Sequence, residues 1–121
     1  MKKFLLIVLP IMLLVSCTTQ TSTTEQIALN ILEKDSKADI FIFNDRIYKK
    51  NDSAASLNED HLNKVGEITK NYKKGVPFEN GVATTLPIGT KIYSQKQSKD
   101  KDELYIKTEE GFFKYIAEVE G

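Results

Sequence analysis

Ile40-Phe41-Ile42-Phe43 sets large apolar side chains at four consecutive positions. β-Branched and aromatic residues favour extended backbone, and successive side chains of a strand point to opposite faces. The run is therefore a strand that is apolar on both faces, and both faces must be covered. Asn44-Asp45 follows. Both residue types tolerate the positive φ that a two-residue hairpin turn requires. Arg46-Ile47-Tyr48-Lys49 then returns as the partner strand. Upstream, Ile27, Ala28, Ile31 and Leu32 form one apolar stripe at helical spacing. The pattern predicts a helix over 24–34, with Thr23 and Gln26 at capping-box spacing. That helix is the natural cover for one face of the strand.

The remaining chain reads as short strands and turns. Asn51 to Lys64 is polar and suggests a loop with a short helix over 53–59. Val65 to Thr69 alternates as a strand does, and Val82-Ala83-Thr84 is long enough to pair briefly. In Leu86-Pro87-Ile88-Gly89-Thr90 the proline and glycine are turn residues, launching the strand Lys91 to Ser94. The segment looks like the sorting motif L-P-x-T-G, but its last two residues are transposed and no apolar span follows. Ser98 to Asp102 reads as a charged hairpin tip. Leu104 to Lys107 and Phe112 to Ile116 form a last hairpin through Glu110-Gly111. The fold class expected is α+β and β-rich, with about five or six short strands in a small antiparallel sheet or partial barrel. One or two short helices accompany it, and a signal-peptide helix precedes it.

The first residues stand apart from this domain. Met1-Lys2-Lys3 is basic, Phe4 to Val15 is apolar apart from Pro10, and Ser16-Cys17 follow. This is the tripartite order of an export signal. The run is too short for a membrane span, which needs about 20 apolar residues. Leu14-Val15-Ser16-Cys17 resembles a lipobox, in which the Cys thiol takes a thioether-linked diacylglyceryl group and a peptidase cuts between Ser16 and Cys17. Two acyl chains of palmitate size anchor stably where one does not. Cys17 is the single cysteine of the chain, so it has no intramolecular disulfide partner. The domains expected are a signal peptide over 1–16, a lipidated Cys and flexible polar tether over 17–25, and an extracytoplasmic β-rich domain over 26–121.

Composition limits the chemistry. Lys2 and Lys3 leave with the signal, so 15 of the 17 basic residues remain against 17 acidic ones, a formal charge of −2. That is no footprint for nucleic acid. His61 is the one histidine, set in a polar segment without the further His or Cys ligands that zinc prefers, and it reads as a solvated surface residue. No Ser lies in a nucleophile-elbow motif. Glu67, Glu79, Glu103 and Glu118 are acid/base candidates only because acids can meet from anywhere in a chain. No catalytic residue, metal site or cofactor is assigned. Phe112, Phe113 and Tyr115 are the candidate binding face, on the argument that an exposed aromatic patch recognises a protein or glycan.

Ala38 to Asn44 with Tyr48 after it, Val65-Gly66-Glu67-Ile68, and Ala83 to Tyr93 together resemble small uncharacterised lipoproteins of low-GC Gram-positive, Bacillus-like bacteria. The resemblance spans most of 26–121. It implies a lipid-anchored position on the outer side of the cell membrane and a compact sheet-rich fold, and it assigns no site residue. The function expected is a non-catalytic, membrane-anchored module whose partner is an envelope protein or cell-wall component. A small-ligand or ion binder is the alternative, and an envelope hydrolase is a third reading.

Overall fold

A computed structural model of the chain describes residues 23–97 and 102–118. The expected signal peptide over 1–16, Cys17, the Thr-rich residues 18–22, residues 98–101 of the expected hairpin tip and residues 119–121 lie outside the described residues. The described elements are a helix α1 (Thr23–Lys34) and eight strands. These are β1 (Ile40–Phe43), β2 (Arg46–Ala55), β3 (Leu62–Glu67), β4 (Lys70–Asn71), β5 (Val82–Ala83), β6 (Lys91–Gln95), β7 (Glu103–Thr108) and β8 (Gly111–Ala117). A single 3-10 turn, Glu59–His61, precedes β3. The chain is α+β and sheet-rich, as its patterning predicts, but eight strands form where five or six are expected. The sheet is not wholly antiparallel either, because β4 and β5 run parallel.

The hairpin at Asn44-Asp45 forms as its residues dictate. Asn44 has φ +50° and Asp45 φ +62°, and Phe43 pairs with Arg46 across the turn. Strand alternation then sorts the side chains. Ile40, Ile42 and Ile47 face α1, whose Ala28 is fully buried against them. Phe41 and Tyr48 point the other way, into the main core with Ile68, Ile92, Ile106 and Tyr115. Phe41 stacks on Tyr48 at 5.4 Å and meets Tyr115 at 5.2 Å. Fully burying a side chain of this size contributes about 1.5–3 kcal/mol, and both faces of β1 share in it.

Helix α1 is fixed at its start by two bonds. Thr24 Oγ1 donates to Asp45 O at 3.0 Å, and Phe78 N donates to a Glu25 carboxylate oxygen at 2.8 Å. Glu25 in the first turn and Lys34 in the last also suit the helix dipole. Thr23 is already helical, so the Thr23–Gln26 spacing does not act as a capping box. Gln26 Nε2 donates along the helix to Asn30 Oδ1 at 3.3 Å instead.

The sheet order is β3-β6-β7-β8-β2-β1-β5-β4. Its two outermost strands are neighbours in sequence, separated only by Ile68 and Thr69. Ile68 N donates to Thr90 O (2.8 Å), and Gly89 N donates to Ile68 O (2.7 Å). Thr69 N and Lys70 N both donate to Gly81 O (2.9 and 3.3 Å). Residues 62–71 thus run along β6 and then along β5, which curls the sheet into a half-barrel around the main core. Gly89, with φ +92°, allows the Pro87–Thr90 turn that the sequence predicts, and Thr90 N closes it on Pro87 O at 3.1 Å.

The polar stretch after Lys49 departs from expectation. It continues as strand β2 to Ala55, in place of the expected loop and helix over 53–59. Lys50 pairs with Tyr115, and Ala54 pairs with Phe113. Three residues of β2 therefore stand opposite one of β8, a bulge that bends the strand.

Candidate functional site

Beyond Ala55 the chain crosses the outer face of β6, β7 and β8. Alternation puts Tyr93, Tyr105 and Phe112 on that face, opposite Ile92, Ile106 and Tyr115 in the main core. Leu57 and Leu62 cover the three rings and form a second, smaller core. Tyr93 and Phe112 meet edge to face at 5.8 Å. The crossing is fixed at several points. Asn58 Oδ1 accepts from Asp60 N (3.0 Å), His61 N donates to Asn58 O (2.9 Å), and Lys96 N donates to His61 O (2.9 Å). Glu59 pairs with Lys107 of β7, and its carboxylate holds the Lys107 ammonium above the ordinary lysine range.

This packing leaves a groove of about 550 Å³ between the crossing and the end of β6, lined by Ser56, Leu57, Asn58, His61, Gln95, Lys96 and Gln97. The volume lies within the range of small-ligand sites. Among the described residues the lining carries one hydroxyl, three carboxamides, an imidazole and an ammonium, and no carboxylate. It can donate and accept hydrogen bonds throughout, and its ionisable groups favour negative charge. His61, expected on the surface, is exposed and belongs to this lining. The groove escapes sequence reading because 56–61 and 95–97 meet only through the β3–β6 pairing, in which Leu62 faces Gln95.

A second polar feature lies on the other side of the sheet. Tyr115, 1% exposed, donates from its hydroxyl to Asp39 Oδ2 at 2.9 Å. Asp39 Oδ1 is shut away from solvent and has no hydrogen-bond partner among the described residues, although Asp39 as a whole is only half-buried. Burial pushes the Asp39 carboxyl above the usual carboxylate range, while the Tyr115 hydrogen bond and the Lys50 charge pull against it. Burial raises the Tyr115 phenol well above its ordinary value, and the Asp39 charge and hydrogen bond add to that.

The proposed aromatic face is corrected by this packing. Phe113 and Tyr115 point into the half-barrel, and Phe112 lies under Leu57 and Leu62. Phe113 is half-buried, with Lys50 Nζ 4.5 Å above its ring. The three residues therefore form no exposed patch, because strand alternation sends them to two covered faces. Of the carboxylates weighed in the sequence, Glu67 pairs with Lys64 (3.4 Å) and Glu103 with Lys114 (3.5 Å). Glu79 and Glu118 are exposed. Among the described residues, no three His, Cys, Asp or Glu side chains group as a metal site. No helix among them is long and apolar enough to cross a membrane. Comparison with protein-family models, curated proteins and solved structures gives no match to this chain.

Proposed function

We propose that the chain is the precursor of a bacterial lipoprotein. It is held on the extracytoplasmic face of the cell membrane by lipid on Cys17, and its domain is a non-catalytic binding module for an envelope component. The observation that carries the location is Cys17 itself, the single thiol of the chain, which ends an export signal in lipobox order. The resemblance to lipoproteins of low-GC Gram-positive bacteria points the same way.

The groove supports the binding role. It offers convergent hydrogen-bonding groups on a floor held by the second core, and such pre-organisation favours binding. A polymer hydrolase of the two-carboxylate kind needs carboxyl groups about 5–10 Å apart across its cleft, and among the described residues that line this groove there is no carboxylate. The groove's size also suits a small ligand, which keeps the small-ligand binder as a second reading.

Mass spectrometry of the mature N-terminus tests the location. A diacylated Cys17 is the expected result, and Cys17→Ser leaves the protein without lipid and uncut. Cleavage elsewhere with a free thiol overturns the location. Retention of the lipidated protein on isolated envelope material tests the binding role, and no retention on any fraction overturns it.

A further inference from the structure

We infer that the groove takes a hydroxyl-rich oligomer bearing carboxylate or phosphate groups, with one anionic group held at Lys96. The inference rests on the binding role proposed for this groove and names its ligand class. Three features of the groove carry it. First, among the described residues the ionisable side chains that line it are His61 and Lys96, so this lining is neutral to positive on a domain whose mature chain is −2 overall. A negatively charged group is therefore favoured here over most of the surface. Second, Gln95 and Gln97 each present a carboxamide with donor and acceptor side by side, the complement of a hydroxyl that both donates and accepts. Asn58 Oδ1 is engaged by Asp60 N, which leaves Nδ2 as the donor it offers. Third, the crossing is tied down by Leu57 and Leu62, by Lys96 N on His61 O, and by Glu59 on Lys107. A ligand therefore meets a site that needs little ordering.

The test is titration of the full lipidated protein in detergent micelles with four oligomers of equal length. An oligogalacturonate supplies hydroxyls with carboxylates, and a glycerol phosphate oligomer supplies hydroxyls with phosphates. A cello-oligosaccharide supplies hydroxyls alone, and an oligoglutamate supplies carboxylates without hydroxyls. One or both of the first two bind at least about tenfold more tightly than either of the others, the scale of one charge-assisted hydrogen bond. Which of the two is preferred separates a carboxylate source from a phosphate source. Lys96→Ala weakens the anionic oligomer about tenfold and leaves the neutral one unchanged. Lys96 is exposed, so the variant keeps the Tm of the parent. Gln97→Ala, also exposed, weakens both.

Equal affinity for the neutral oligomer, oligoglutamate binding as tightly as the first two, or an unaltered Lys96→Ala protein overturns the inference. If none of the four binds while envelope material still retains the protein, the ligand class fails and the binding role stands. If retention is also absent, both fail.

Discussion

Tyr115→Phe isolates the polar junction between β8 and the start of β1. The substitution keeps the ring that packs 5.2 Å from Phe41 and removes only the hydroxyl. Among the described residues Asp39 Oδ1 already lacks a hydrogen-bond partner, so the carboxylate would then have none there on either oxygen. A hydrogen bond to a charged group contributes about 1.5–3 kcal/mol. Because Asp39 is only half-buried, solvent recovers part of this, and a loss of about 1–2 kcal/mol is expected near neutral pH. For a domain of this size that lowers Tm by roughly 4–16 °C.

The pH dependence has a definite sign. Burial raises the folded-state pKa of Asp39 above its ordinary value of 3.8, so the folded protein binds this proton more tightly than the unfolded chain. The group's contribution to stability is fully present below about 3.8 and is lost as pH rises through the folded value. Removing the Tyr115 hydroxyl takes away a contact that lowers that value, and raises it further. The gap between the two proteins is therefore smallest in acid and widens toward neutral pH. Urea unfolding of both proteins from pH 3 to pH 8 measures it. A gap that is constant with pH, or below about 0.5 kcal/mol at pH 7, refutes the account, since surface changes alone reach that size.

Gly81→Ala adds a Cβ only 2.5 Å from Thr69 Oγ1 at a residue with φ +89°. It is expected to cost about 1–3 kcal/mol, with Thr69→Ala in the same chain restoring only the part due to the clash, as denaturant melts would show. Arg46→Ala breaks the ion pair to Asp102, whose side chains are 45% and 58% exposed. A loss below about 1 kcal/mol is expected from thermal melts.

The legible parts of the fold are those in which local chemistry and tertiary packing agree. The two-faced apolar strand, the Asn44-Asp45 turn, the stripe of α1 and the Pro87–Thr90 turn all need only near neighbours to be recognised. The extension of β2 through Asn51 to Ala55 was not legible, because pairing with β8 holds that backbone and the sequence there carries no apolar alternation. The two-residue strand β4 likewise owes its existence to Gly81 O and to β5, which lie elsewhere in the chain, whereas the brief pairing of Val82-Ala83 is among the legible parts. The groove residues were visible individually but not as a set. His61 is exposed, as its polar segment predicts, and its neighbours across the groove are over 30 residues away in sequence. The aromatic trio misled because exposure depends on which element covers a strand's outer face, and the cover over Phe112 comes from Leu57 and Leu62.

Residues 62–71 also bear on how this protein behaves in company. A sheet has two margins at which backbone groups can recruit another chain. Here one stretch of sequence supplies both margins. One half is six residues long and is distorted at Val65, where Lys64 pairs with Tyr93 and Gly66 with Ile92. The other half is two residues long and includes Lys70. Short, bent and lysine-bearing margins discourage strand addition. A population of these domains crowded onto one surface would then have little means of joining sheet to sheet, and would stay available one by one.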